Sequence, residues 1–326
     1  MRWEVLVMSQ KKDGKGIEKQ ADRNDLLLFL VLTFGLAYTG GILFSLKGAG
    51  QLSAAYMMIL PAVSVGIIKE RKKASKDNYS KLHYIMFSYF IVITLLILLF
   101  ISDVVRNMDG IKMAVHWIGS GALLLYSWIA CPDLMRSEER NKVYITAPLI
   151  MIFALLAGDV LSGPMVRFNV VTYIFSCLSI LPSFAINGIG FLGEEYGWRG
   201  FLQGKLQRKI GKRLGIILLG IIWEAWHLPL WFGIYQVKEL GLIVLIVRFV
   251  HTTCMDVFLG WVYMKTCNLW LCALVHYINN SMAGSVLLSI RGMVTASLVV
   301  SVIMGVFILT KEYRRDDLRI RNERIS

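Results

Sequence analysis

The chain has 326 residues, of which 56% are hydrophobic and 17% charged, with a mean hydropathy of +0.60 and a formal net charge of +13. This composition excludes a soluble globular protein and indicates an all-α, polytopic membrane protein. The positive charge does not indicate nucleic acid, because the basic residues alternate with apolar stretches instead of covering one polar domain.

In chain order, residues 1–25 form a polar segment carrying Lys11, Lys12, Lys15 and Lys19, without the features of a cleavable signal peptide. Hydropathy then places an integral membrane domain at 26–310 and a polar, basic tail at 311–326. A helix needs ~20 apolar residues to cross a bilayer. About ten spans are expected on that rule, at 26–46, 52–68, 84–102, 114–130, 143–158, 170–191, 214–232, 240–264, 269–290 and 293–310. The first is expected to serve as an uncleaved anchor.

Lys and Arg alternate between successive loops, 28 on one side against six on the other, with Arg248 left inside a span. The positive-inside rule then puts both termini in the cytoplasm and the protein in the cell membrane. The basic stretch 205–213 is expected at the cytoplasmic surface, where anionic headgroups attract it. Cys131, Cys177, Cys254, Cys267 and Cys272 show no CxxC or metal-knuckle spacing and read as small packing residues.

The first five spans and the tenth contain no Asp, Glu, Lys or Arg and read as scaffold. From residue 190 to 280 the pattern changes. Glu194, Glu195, Arg199, Glu224, His227, Arg248, His251, Asp256 and His276 all fall in or beside apolar stretches. Charge at a helix centre costs roughly 2.5–3.5 kcal/mol per residue on insertion scales, so such groups mark a site.

No proline interrupts 191–206, so Glu195 and Arg199 share one helix face as an i,i+4 pair, and Glu194 points about 100° away. One acid is held ionised while its neighbour faces a cavity as a base. At about 1.5 Å per residue, Glu194 lies roughly 15–20 Å above the cytoplasmic end of its helix, His227 roughly 20 Å, and His276 with Asn280 roughly 12–18 Å. Pro229, which has no N–H, is expected to disturb its helix and open the carbonyls around Ala225. Taken singly, each element has a bland explanation: a helix-end acid pair as a solvated cap, a histidine as a packing residue, an asparagine as helix glue. Together, at compatible depths on three spans, they indicate a reaction centre. Arg248 and Asp256 are too far apart to pair along one straight helix and are expected to pair across helices or line a substrate path.

Three motifs carry a family resemblance. Glu194-Glu195-Tyr196-Gly197-Trp198-Arg199 is an EExxxR motif, Trp223-Glu224-Ala225-Trp226-His227 an aromatic-x-x-x-His motif, and His276-Tyr277-Ile278-Asn279-Asn280 an HxxxN motif. In residues, order and separation the chain resembles the CPBP intramembrane proteases, also labelled Abi or type II CAAX proteases, over roughly 180–281. Trp223 replaces the phenylalanine most often found in the second motif. The resemblance implies a catalytic core on spans six to nine. In it Glu194 is the general base that takes a proton from water, His227 holds or polarises that water, and His276 and Asn280 stabilise the oxyanion. Glu195 and Arg199 orient the site beside an aromatic wall, Trp223.

The family has been described both as metalloproteases and as metal-independent glutamic proteases. The chain lacks HExxH spacing, so no obligatory metal is expected, while Glu194, His227 and His276 are the residues that would hold zinc. The implied partners are a peptide or membrane-protein substrate and the lipid bilayer, the tasks ranging from CAAX processing to bacteriocin maturation or immunity. Oligomeric state is not legible. The competing reading is a transporter or proton-coupled channel using the same buried cluster, against which stands the absence of a matching set of ionisable groups in the first half.

Overall fold

The structure is a computed structural model that describes residues 22–71, 78–104, 109–131, 142–162, 170–233, 241–283 and 290–314. The polar segment before residue 22, the tail beyond 314 and the basic loops 72–77 and 132–141 of the topology argument lie outside the described residues.

Every regular element among the described residues is helical. Helix α1 is Asp22–Leu46, with a π-helical turn at Ala37–Gly41. It is followed by α2 (Gly50–Arg71), α3 (Asn78–Ile101), α4 (Asp109–Ala130) and α5 (Val143–Leu161). Helix α6 begins as Val170–Gly197 and continues through a π-helical turn, Trp198–Gln203, into Gly204–Ile210. Then come α7 (Lys212–Gly233), α8 (Gly241–Thr266), α9 (Leu269–Ala283), α10 (Ile290–Gly305, prolonged by a 3₁₀ turn Val306–Leu309) and the short α11 (Lys311–Arg314).

Nine of these helices are long and apolar enough to cross a membrane, which makes the chain an all-α polytopic membrane protein. The ninth expected span, 269–290, is the exception: α9 has 15 residues, about 22 Å at the helical rise and short of a ~30 Å hydrocarbon core. The rest of that expected span, 284–289, lies outside the described residues. The sixth span is longer than hydropathy placed it. The acid pair ends the apolar window, but no proline follows and the backbone stays helical until Gly211, at φ 87°.

Large apolar side chains stand exposed along the outer helices, among them Leu95, Ile118, Trp128, Phe153 and Leu178, as a lipid-facing surface requires. Helix α6 sits centrally, packed by α2, α4 and α9, with α7 folded back along its C-terminal part. Its face toward α2 is a glycine row. A Cβ on Gly193 would lie 2.8 Å from the Met58 carbonyl oxygen, and one on Gly197 would lie 2.3 Å from the Pro61 Cβ. Small residues permit this backbone approach, and the approach fixes the register of the segment that carries the acids.

Gly211 makes the turn between α6 and α7 at φ 87°, a conformation that suits a residue without a Cβ. It lies nearly midway in sequence between Glu194 and His227, so the hairpin returns both to a similar depth. The turn from α8 to α9 is equally tight. The Asn268 side chain caps α9 by accepting from the Leu271 N–H at 2.8 Å, and its amide donates to the Tyr144 hydroxyl at 2.9 Å. At the same end of α6, Lys205 is not a free headgroup anchor: it is buried, ion-paired with Asp22 of α1 and placed over the Phe201 ring, whereas Arg208 and Lys209 are exposed. Tyr313 of α11 is likewise buried, its hydroxyl donating to the Val257 carbonyl at 2.7 Å, so the C-terminal tail begins with a docked turn.

Candidate active site

Glu194 and Glu195 leave α6 in different directions and meet different partners. Glu194, 2% exposed, accepts a hydrogen bond from the Trp223 indole N–H of α7 at 2.8 Å. Glu195, fully buried, lies 3.0 Å from Arg199 Nε through Oε2 and 3.0 Å from His276 Nδ1 of α9 through Oε1. The i,i+4 spacing of the two α6 residues produces the first of these contacts. The second brings α9 to the same carboxylate.

Trp223 is the piece that joins these groups. Its ring meets His276 edge to face at 4.9 Å, lies 5.6 Å from the His227 ring and carries the Arg199 guanidinium at 5.2 Å from its centroid. One indole therefore touches Glu194, Arg199 and both motif histidines. An aromatic wall of this size excludes water while its N–H still orients the acid.

His227 is half-buried, and its Nδ1 lies 2.9 Å from the Trp223 carbonyl. A carbonyl can only accept, so Nδ1 carries the proton and Nε2 is the nitrogen left to accept from a further group. Phe191 and Trp223 hold His276 from two sides. Asn280 is exposed; its Nδ2 lies 3.4 Å from His276 Nε2 and its Oδ1 accepts from Asn279 Nδ2 at 3.0 Å. The structure thus gathers Glu194, Glu195, Arg199, Trp223, His227, His276 and Asn280 from three helices into one contact network.

The three acidic and basic residues of uncertain place in the sequence resolve into cross-helix partners. Asp256 of α8, fully buried, forms an ion pair with Nη1 of Arg199. Arg248 pairs with the buried Glu224 of α7 through Nε and Nη2, at 3.3 and 3.4 Å, and Thr252 also donates to Glu224. His251 Nδ1 lies 3.5 Å from the Ser297 carbonyl of α10.

Two contacts from the first half were not foreseen. His83 of α3, buried, lies 2.7 Å from the Tyr196 hydroxyl, inside the first motif. Tyr38 of α1 donates to the Ala225 carbonyl at 2.7 Å. That carbonyl is the one whose helical donor would be the N–H of residue 229, and Pro229 has none. The π-helical turn Ala37–Gly41 contains the tyrosine that takes the place of this donor, so the carbonyl opened by the proline is filled by another helix.

For zinc, each motif histidine has an oxygen partner on Nδ1, which leaves Nε2 of His227 for a ligand, whereas Nε2 of His276 faces the Asn280 amide at 3.4 Å. Among the described residues, however, no three His, Cys, Asp or Glu side chains are grouped so as to hold a metal ion. All five cysteines are described and none forms a disulfide.

Comparison with known proteins bears on the same helices. Residues 173–282 match the family model described as type II CAAX prenyl endopeptidase Rce1-like. The CAAX prenyl protease 2 of Methanococcus maripaludis is 27% identical over 90 residues, which cover 28% of this chain and 33% of that protein. The chain thus matches about a third of the length of this curated relative. The match begins in α6, ends in α9 and contains all three motifs. Over residues 173–282 the chain is therefore similar to Rce1-like type II CAAX prenyl endopeptidases.

Proposed function

We propose that the protein is an intramembrane endopeptidase that hydrolyses peptide bonds of membrane-associated peptides or proteins with a water activated by Glu194. The observation that carries this reading is the pair of adjacent carboxylates with separate partners. Glu195 is committed to Arg199 and His276, whereas Glu194 is buried with the Trp223 indole as its donor, and both motif histidines pack on that same indole.

In the reaction, the Glu194 carboxylate takes a proton from water, and the hydroxide oxygen bonds to the scissile carbonyl carbon as the carbonyl π pair moves onto oxygen. His227, with Nε2 as acceptor, holds the water in line. The Asn280 amide, held through one Nδ2 hydrogen by His276 Nε2, offers the other to the developing oxyanion, where an aimed donor in a dry site is worth several kcal/mol. Collapse of the intermediate re-forms the carbonyl, breaks the C–N bond and returns the proton from Glu194 to the leaving amine. Glu194 is again a carboxylate at the end of the cycle, and the second proton of the water leaves with the new carboxyl group.

The substrate class follows the named relative: a chain end carrying a lipid, as in CAAX prenyl proteins, is delivered laterally to a site within the bilayer, and bacteriocin-like peptides share that membrane association. The alternation of basic loops supports, by the positive-inside rule, an orientation in the cell membrane with both termini in the cytoplasm. The test is cleavage of a prenylated CAAX-type peptide and its unprenylated counterpart by the purified full chain in nanodiscs. Wild type is expected to cleave the lipidated peptide, with Glu194→Ala and His227→Ala slower by roughly 10²–10⁴-fold, the range of a lost general base. A correctly inserted Glu194→Ala protein that cleaves at the wild-type rate would remove the assignment.

A further inference from the structure

Arg199 is the point where two branches of the site meet. Its Nε faces Glu195, whose other oxygen faces His276, and its guanidinium covers Trp223, whose N–H holds Glu194. Both branches depend on where the guanidinium sits. The i,i+4 pair with Glu195 belongs to one helix and leaves an arginine free to swing about its long stem. Asp256 of α8 removes that freedom, because it grips Nη1 from another helix in a fully buried setting. It lies outside all three motifs.

We propose that Asp256 is a positioning residue for the reaction: by holding Arg199 from α8 it fixes the Glu195–His276 pair and the Trp223–Glu194 pair together. A guanidinium gripped by carboxylates of two helices cannot rotate to follow either one, so its stacking plane over Trp223 is set. The indole N–H, and with it the Glu194 carboxylate, inherits that plane. Without the α8 carboxylate, Arg199 would follow Glu195 alone, and the face it offers Trp223 would vary. The inference rests on the proposed peptidase reaction, but the geometry of the clamp can be read without it.

The experiment uses the full chain in nanodiscs, with Asp256→Asn and Asp256→Glu, and three readouts: peptidase kinetics, thermal unfolding, and ¹⁵N spectra of the indole N–H groups and histidine rings. Asp256→Asn is expected to lower kcat roughly 10- to 100-fold, the range for loss of a partner that orients a reactive group, with KM within about twofold. The Trp223 indole and His276 ring signals should move while that of His83 stays. Asp256→Glu restores the charge one methylene further out and should recover part of kcat.

Unmoved Trp223 and His276 signals in folded Asp256→Asn protein overturn the inference, whether kcat is retained or falls in proportion to the folded fraction. Should the Asn variant fail to fold, the Glu variant decides. Intermediate kcat with shifted signals supports the clamp, and wild-type kcat with unshifted signals overturns it. A wild-type protein without Glu194-dependent cleavage defeats the proposed function instead, and leaves the spectroscopic test of the clamp standing.

Discussion

The two halves of the molecule differ in what they place inside the membrane. Helices α6 to α9 carry buried charge in matched sets, Glu195 with Arg199 and Asp256, Glu224 with Arg248, each joining two helices. Helices α1 to α3 contribute no such pair to the site, yet they reach it at three places: Tyr38 on the Ala225 carbonyl, Pro61 against Gly197, and His83 on the Tyr196 hydroxyl. The lesson is a division of labour. The candidate site lies in the segment that the family match covers, and its geometry is held partly by helices that lie outside the match.

The largest effect that would test this division is chemical. Glu194→Ala should reduce cleavage by roughly 10²–10⁴-fold while leaving the protein folded in nanodiscs, the loss of the Trp223 hydrogen bond costing about 1–3 kcal/mol. An equally large fall from a first-half substitution that leaves the fold intact would break the comparison.

Next in size is the contact between halves at the glycine row. Gly197→Leu forces a side chain into the Pro61 backbone, and overpacking of this kind costs about 1–3 kcal/mol or more when backbone must shift. The expected result is a lower unfolding temperature together with lost activity, because the displaced segment carries Glu194 and Glu195. Loss of activity at unchanged unfolding temperature would assign Gly197 to the chemistry instead.

A smaller effect is expected at His83. His83→Ala removes the 2.7 Å partner of the Tyr196 hydroxyl, a cost of about 1 kcal/mol for the hydrogen bond, and the cost should be smaller in a Tyr196→Phe background. That smaller cost, measured by thermal unfolding, is what separates a hydrogen-bonding role from a packing role.

How much of this was legible in the sequence follows from what each signal depends on. Nine of the expected spans are helices long enough to cross the membrane, because apolar length is a local property. Hydropathy ended the sixth span at the acid pair, whereas the absence of proline through 191–206 pointed to the continuing helix, which runs to Ile210. The three motifs named the residues that meet around Trp223, and the i,i+4 rule placed Arg199 on Glu195. Asp256 was visible as a buried charge, but its partner is on another helix and no spacing along one chain segment identifies it. His83 stands just outside its expected span, so it read as a loop residue. Tyr38 carried no signal, because a lone tyrosine in an apolar span is indistinguishable from an interfacial or packing side chain.

Tyr38 gives the sharpest test of the shared geometry, although the expected effect is the smallest. Its hydroxyl stands in for the N–H that Pro229 lacks, so the two residues are energetically linked in a specific way. Tyr38→Phe should cost about 1 kcal/mol, the net worth of one hydrogen bond, and modestly reduce activity by loosening the turn between Trp223 and His227. Pro229→Ala supplies a backbone donor to the same carbonyl, as an ordinary helix would. In that background Tyr38→Phe should cost much less, because the Ala225 carbonyl is already satisfied from within α7. A double-mutant cycle on unfolding free energy reads the difference directly. Equal cost of Tyr38→Phe in both backgrounds would mean that the tyrosine acts through packing, and that α1 supports the site without replacing the missing donor. A cost that vanishes with the proline would show the first half repairing a break in the helix that carries His227.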